Sequence, residues 1–144
     1  MTSEETCAAT RQQWRELGFY YDRDDINRVW LIIGSRTAIL RFCQILRNYA
    51  ADSRRRQLSE HEHYGPYQYL TVMTWNQPQL DRRGIAGTLK DLQRLAALIE
   101  LKVRGAADGS AIRIAHEYTA SPDYALEIQL RSDPFDPSTE DPEC

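Results

Sequence analysis

The sequence has little cysteine, and its three cysteines form no recognisable framework. Cys7, Cys43 and Cys144 are odd in number and far apart, and none belongs to a CxxC pair. Such spacing is typical neither of the disulfide framework of a small secreted domain nor of a zinc site held by thiolates. Cys43 falls within an apolar helical pattern, which predicts a small buried side chain. We therefore expect neither a disulfide framework nor a cysteine-held metal.

The sequence also has no long apolar run. No stretch approaches the ~18 apolar residues that a membrane-spanning helix needs. The N-terminal stretch MTSEETCAATRQQW is acidic and polar, whereas a secretory signal peptide places an apolar segment after a basic one. These absences predict a cytoplasmic protein that has no membrane partner.

Lysine is nearly absent, since 16 of the 18 basic residues are arginine. The net charge is −3, but residues 12–132 carry 17 basic and 14 acidic side chains, because acidic residues concentrate at the two ends. Arginine-rich usage indicates either recognition of phosphates and carboxylates or a bias in genomic base composition. A surplus of three positive charges is too small to favour nucleic acid, so we do not expect nucleic acid as a partner.

Catalytic motifs are missing as well. Gly84-Ile85-Ala86-Gly87 lacks the lysine and the preceding strand of a phosphate-binding loop, and the sequence contains no GxSxG elbow. The adjacent carboxylates Asp24 and Asp25 lie in a polar cluster that is typical of a turn. We predict that the protein is not an enzyme and that it needs no cofactor.

The chain is organised around residues 60–75, EHEHYGPYQYLTVMTW. The alternation from Tyr67 to Trp75 predicts a central strand, which follows a polar loop that contains Gly65-Pro66. Apolar residues at three- to four-residue spacing predict an amphipathic helix on each side, over residues 36–54 and 88–104. The predicted N-caps are Ser35 for the first helix and Thr88, with Asp91, for the second.

Two hairpins, over residues 19–33 and 112–131, complete the pattern, and residues 78–87 are predicted to form a loop. We see no internal repeat beyond the two helix–strand passages. The order β-β-α-β-α-β-β predicts an α+β fold, a two-layer sandwich of about five mostly antiparallel strands with two helices on one face. We expect residues 14–132 to form a single domain and residues 1–13 and 133–144 to be flexible ends, because the tail is acidic and proline-spaced.

The candidate site residues lie in and after the polar loop. On an extended chain His61 and His63 point the same way and could reach one metal, but a third ligand is missing locally. His116 or Glu117 could supply it only if the fold brought them there, so we predict no metal. Tyrosine, tryptophan and arginine are enriched at protein–protein hot spots. The predicted binding residues are therefore Tyr64, Tyr67, His61, His63, Arg82 and Arg83.

The combination HEHYGPYQYLTVMTW followed by GIAGTLKDLQRLAALIE resembles small uncharacterised bacterial α+β proteins, which we associate with the immunity proteins of polymorphic-toxin systems. The resemblance covers roughly residues 28–136 and rests on the strand–loop–helix passage, not on a catalytic signature. It implies a cytoplasmic protein that binds and blocks another protein, such as a toxin. The alternative is a small ligand- or metal-binding accessory domain that uses the His61–Tyr67 loop. Strand order and self-association stay open.

Overall fold

The computed structural model describes residues 3–144, and its helices and strands confirm the α+β class. The elements within these residues are α1 (Glu4–Leu17), β1 (Tyr20–Asp24), β2 (Val29–Ser35), α2 (Arg36–Ala51), β3 (His61–Tyr64), β4 (Leu70–Thr74), β5 (Gln79–Asp81), β6 (Gly84–Gly87), α3 (Leu89–Arg104), β7 (Ala111–Ile114) and β8 (Ala125–Arg131). Short 3-10 turns lie at Ser53–Arg55 and Pro137–Glu140. Among the described residues, no helix is both long and apolar enough to cross a bilayer.

The strands form two four-stranded sheets, not one sheet of five. Sheet A has the order β1-β2-β8-β7 and sheet B the order β3-β4-β6-β5. In each sheet the two middle strands are parallel and the outer pairs are antiparallel. The predicted strand count is wrong because β3 is polar and because β5 and β6 are short. Glycines at both ends of β6 hide it further, since glycine is depleted in strands. The predicted helix count is wrong because α1 lies mostly within residues that we predicted to be a flexible end.

The two sheets share a repeated order of elements that the sequence did not reveal. Residues 20–74 and residues 79–131 both follow the order strand, strand, helix, strand, strand. The hairpin β1–β2 pairs with β7–β8 in sheet A, and β3–β4 pairs with β5–β6 in sheet B. Each sheet therefore takes one hairpin from each half. The equivalent strands differ too much in composition for the repeat to show, because β1 begins with two tyrosines whereas β5 is Gln-Leu-Asp.

Helices α2 and α3 begin where the sequence predicts. Ser35 Oγ accepts a hydrogen bond from the Ala38 amide, 3.2 Å away. Thr88 Oγ1 accepts from the Asp91 amide, and the Asp91 carboxylate accepts from the Thr88 amide, both at 3.0 Å. The predicted apolar stripes are buried; their members are Ile39, Phe42, Leu46 and Tyr49 on α2 and Leu92, Leu95, Ile99 and Val103 on α3. The helices pack against each other, with α2 on sheet A and α3 touching both sheets.

Residues 4–13 and the 133–144 tail pack on the body, which differs from the flexible ends that we predicted. Residues 4–13 lie in α1, whereas residues 1 and 2 of the predicted end lie outside the described residues. Trp14 is buried, and its Nε1 donates to the Asp141 carboxylate at 2.9 Å. Cys7 on α1 forms a disulfide with Cys144. We predicted no disulfide framework, and the sequence spacing did not predict this single bond, because it does not reveal that the fold brings the two Cα atoms within 5.2 Å.

The Asp141 carboxylate attaches the tail to the body of the protein. It also accepts a hydrogen bond of 2.7 Å from the Tyr67 hydroxyl. Burial by itself raises the pKa of this carboxyl, but the hydrogen bonds from Tyr67 and Trp14 outweigh burial and hold the pKa below its usual value. Burial, and then the hydrogen bond to Asp141, raise the pKa of Tyr67. The acidic, proline-spaced composition of the tail predicted a flexible end, because composition does not show these hydrogen-bond partners.

Acidification should therefore loosen the tail. Since the folded-state pKa of Asp141 is depressed, its stabilisation is fully present above the unfolded-state value of about 3.9 and is lost as the pH falls through the folded-state pKa. Asp141→Asn should lower the free energy of unfolding by about 1–3 kcal/mol at pH 7, because asparagine lacks the negative charge that strengthens the bonds from Trp14 and Tyr67 and keeps only one acceptor oxygen. Urea denaturation between pH 6 and pH 2.5 should show a smaller loss on acidification in this variant than in the wild type.

Asp133→Asn is the matched control, because Asp133 belongs to the same tail and is exposed. This variant should follow the wild-type dependence on pH, including the contributions of the other carboxylates. Equal pH dependence in Asp141→Asn and the wild type would show that the Asp141 contacts do not hold the tail.

Candidate functional site

The outward face of sheet B carries a groove of about 540 Å³, hereafter the groove. Along β4 the side chains alternate, so Leu70 and Val72 enter the core while Thr71 and Met73 face outward. The register places His61 beside Met73 and His63 beside Thr71 on the same outward face. The floor of the groove therefore consists of side chains from β3 and β4.

The lining of the groove is basic. Its ten residues are Arg23, Ser59, His61, His63, Gln68, Tyr69, Thr71, Met73, Arg82 and Arg83, and they include three arginines, two histidines and no carboxylate. The whole chain, by contrast, has more acidic than basic residues. Four of the six predicted binding residues, the two histidines and Arg82 and Arg83, are thus brought together here.

The arginines differ in how firmly they are held. Arg23 donates from Nε to the Asp25 carboxylate at 2.7 Å and from Nη1 to the Arg82 carbonyl at 3.2 Å. Arg82 itself lies 3.7 Å from the second Asp25 oxygen and is largely exposed. Within residues 3–144 the Arg83 side chain has no ion-pair or hydrogen-bond partner, although its backbone amide donates to Asp81. Arg83 is therefore available to a ligand, whereas Arg23 is structural in part.

Asp25 fixes this corner of the molecule. Its carboxylate accepts a 2.7 Å hydrogen bond from the Tyr124 hydroxyl. That bond and the bond from Arg23 hold the pKa of Asp25 below its usual value. Because Asp25 bridges β1 and the turn between β5 and β6, it sets the position of the arginines relative to the floor.

The histidines are oriented through their Nδ1 atoms. Nδ1 of His61 lies 2.9 Å from the Ser59 carbonyl, which can only accept, so this nitrogen carries a proton. Nδ1 of His63 lies 3.0 Å from the Thr71 hydroxyl, and the two rings meet edge to face with centroids 5.0 Å apart. In the described part of the chain, neither Nε2 has a hydrogen-bond partner, so both are free to meet a ligand.

The fold does not bring a third metal ligand to this pair. Glu117 is engaged by Lys102 at 2.9 Å, and neither Glu117 nor His116 lines the groove. Across residues 3–144, no group of three or more His, Cys, Asp or Glu side chains is arranged to hold a metal ion.

The structure places the two predicted tyrosines away from the groove. The Tyr64 ring packs against the core, and its carbonyl accepts from the Tyr21 hydroxyl at 2.7 Å. Tyr67 bonds Asp141 and stacks on Tyr69, with ring centroids 5.7 Å apart. Tyr69, which sequence reasoning did not select, is 63% exposed and lines the groove. Tyr69 could have been predicted from the sequence, because the strand alternation puts it on the same face as Thr71 and Met73.

A hydrogen-bonded turn is linked to the groove through Asp25, which pairs with Arg23 and Arg82. Residues 24–28 connect β1 to β2, and Ile26 at the tip of this turn is 94% exposed. One Asp24 oxygen accepts from the amides of Ile26 and Asn27, at 3.1 and 3.0 Å, and the other accepts from the Asn27 side chain at 2.7 Å. Arg28 closes the turn through a 2.7 Å ion pair with Asp123. The turn therefore presents one apolar side chain in a fixed position.

Comparison with protein-family models, with curated proteins and with solved structures found no match to this chain.

Proposed function

We propose that this chain is a non-catalytic domain that binds another protein through a surface made of the groove and the 24–28 turn. The observation that carries the proposal is Ile26, which is 94% exposed on a turn that hydrogen bonds hold in place. Burying such a side chain in a partner gains apolar contact at a small entropic cost, because the turn is already ordered.

The surroundings of Ile26 support the same proposal. Asp25 connects the turn to Arg23 and Arg82 in the groove, so the apolar tip and the basic lining form one continuous surface. Exposed Tyr69, which lines the groove together with these arginines, supplies an aromatic side chain. Isoleucine, tyrosine and arginine side chains on a rigid scaffold are sufficient anchors for a standard interface of about 800 Å² per partner.

We further propose, from the resemblance to immunity proteins, that the bound protein is a toxin and that binding blocks it. The cytoplasmic location remains a proposal of the same kind. The Cys7–Cys144 disulfide opposes it, since disulfides persist mainly in oxidising compartments. Alkylation of free thiols in intact cells, followed by mass analysis of peptides that contain Cys7 and Cys144, tests the location.

The test of protein binding is affinity capture with three forms of the chain, the wild type, Ile26→Asp and Leu101→Asp. Leu101 is the matched control because it is 74% exposed on α3 and lies outside the proposed surface. A partner captured by the wild type should be re-expressed, purified and titrated against each form. We expect Ile26→Asp to weaken the complex by at least about tenfold, whereas Leu101→Asp should not. Equal binding by all three forms would reject this surface.

The alternative is a small-ligand or metal-binding accessory domain, and the groove volume favours considering it. About 540 Å³ falls within the range of roughly 300–1,000 Å³ that is typical of ligand pockets. A tight one-to-one titration with zinc that is lost in His61→Ala or His63→Ala would support this alternative over protein binding.

A further inference from the structure

We infer that the groove receives an extended acidic segment of the partner protein, with carboxylates at alternate positions. The inference rests on the proposed function and adds the chemistry of the occupant.

The charged side chains that line the groove are all basic. Arg23, Arg82 and Arg83 line the groove together with two histidines, and no carboxylate does. The nearest carboxylate that engages these arginines is Asp25, which is already shared between Arg23 and Arg82 at 2.7 and 3.7 Å. Arg83 remains without an ion-pair partner within residues 3–144. Charges of one sign in a concave site reinforce one another's potential, so the groove attracts anions.

The basic groups are spaced across neighbouring strands of sheet B. The register sets His63, Thr71 and Gly84 side by side on three neighbouring strands. Neighbouring strands lie about 4.8 Å apart, so His63 and the strand that follows Arg82-Arg83 are separated by about 10 Å. Thr71, on the strand between them, lines the floor of the groove.

An extended peptide matches this spacing. Its alternate residues point the same way and lie about 6.6–6.8 Å apart, and flexible acidic side chains add the remaining reach. When the Thr71 hydroxyl donates to Nδ1 of His63, the His63 Nε2–H is a donor, so one carboxylate can accept from it while the next meets Arg83. A bidentate contact of the carboxylate with the planar guanidinium then fixes its orientation.

The groove also has an apolar part in its lining, formed by Tyr69 and Met73. Tyr69 is 63% exposed, and its ring is backed by the stacked ring of Tyr67. Met73 lies in the floor beside His61. These groups contact the carbon stems of glutamate side chains, which a free inorganic anion lacks. The groove therefore favours an acidic peptide over phosphate.

The test uses a blocked nonapeptide in which five glutamates alternate with serine, titrated into the full-length oxidised chain by calorimetry. The comparison probes are the same peptide with lysine in place of glutamate, inorganic tripolyphosphate and a short single-stranded DNA. We expect the glutamate peptide to bind, the lysine peptide not to bind, and the affinity for the glutamate peptide to fall as salt rises. Tighter binding of tripolyphosphate or DNA than of the glutamate peptide at equal ionic strength would overturn the inference.

Arg83→Glu and Arg56→Glu form the matched pair of variants. Both arginines have no ion-pair partner within residues 3–144, but only Arg83 lines the groove. Arg83→Glu should weaken the glutamate peptide at least about tenfold, whereas Arg56→Glu should change its affinity less than about twofold. An equal loss of affinity in both variants would show that binding depends only on the overall charge of the protein, and it would reject the site. If the peptide does not bind while Ile26→Asp still disrupts a captured complex, the inference fails and the proposed function stands.

Discussion

Replacing Cys7 with serine should lower the free energy of unfolding by about 3–5 kcal/mol. The Cys7–Cys144 disulfide joins residues 137 positions apart, so it closes almost the whole chain into one loop. Chain-entropy reasoning gives about 5 kcal/mol for a loop of this length, and removal of native disulfides typically costs about 2–5 kcal/mol. Guanidinium denaturation of the oxidised wild type and of Cys7→Ser measures the difference.

Reduction supplies the control for this prediction. Dithiothreitol should lower the stability of the wild type to that of Cys7→Ser and should leave Cys7→Ser unchanged. The third cysteine does not interfere, because Cys43 is buried and burial raises its pKa to about 11, which leaves little reactive thiolate. Equal denaturation midpoints for the oxidised wild type and Cys7→Ser would mean that the bond constrains nothing in the unfolded chain.

The second large effect is expected at the packing between α2 and α3. Leu46 and Leu95 are both 0% exposed, one in the stripe of each helix. Leu46→Ala or Leu95→Ala should each cost about 2–5 kcal/mol, because the substitution removes buried methyl groups and leaves a cavity that the surrounding structure fills only in part. The measurement is equilibrium unfolding in urea, with the m-value checked against the wild type.

Leu101→Ala makes the same chemical change on the exposed side of α3. Leu101 is 74% exposed, so the loss should stay within about 0.5 kcal/mol. A comparable loss at Leu95 and at Leu101 would show that helix propensity, and not the core, dominates the effect.

The sequence predicts the helices well because their signals are local. Ser35 and Thr88 cap them, and the apolar stripes repeat at helical spacing within a single segment. The hairpin strands β1, β2, β7 and β8 show the same kind of local signal. Each of these predictions needs only residues a few positions apart.

The missed features depend on residues far apart in the chain. Cys7 and Cys144 give no mutual signal across 137 positions, and the tail docks through contacts of Asp141 with Trp14 and Tyr67. Strands β5 and β6 have only three and four residues; β5 pairs with the adjacent β6, and β6 joins sheet B by pairing with β4. Tertiary context therefore decides these elements, and local propensity does not.

The candidate site shows the same division. Alternation along β3 put His61 and His63 on one face, and the fold adds Arg82 and Arg83 to that face. The arrival of Arg23 from sheet A could not be predicted, because it depends on how the two sheets meet. Tyr67 is of a residue type that often anchors interfaces, but its hydroxyl is hydrogen-bonded to Asp141 of the tail. Tyr69 is the exposed tyrosine of this pair.

The interlocked halves also constrain how the protein can form during its synthesis. Sheet B is complete once residue 87 has emerged from the ribosome, whereas sheet A pairs the first hairpin with the last and must wait for residue 131. Until then β2 is paired only with β1, and the buried residues Trp30 and Ile32 lack the contacts that β8 supplies. A nascent chain with such exposed strands is prone to aggregate. The groove-bearing sheet can thus be assembled early, while the first hairpin remains unprotected for most of translation.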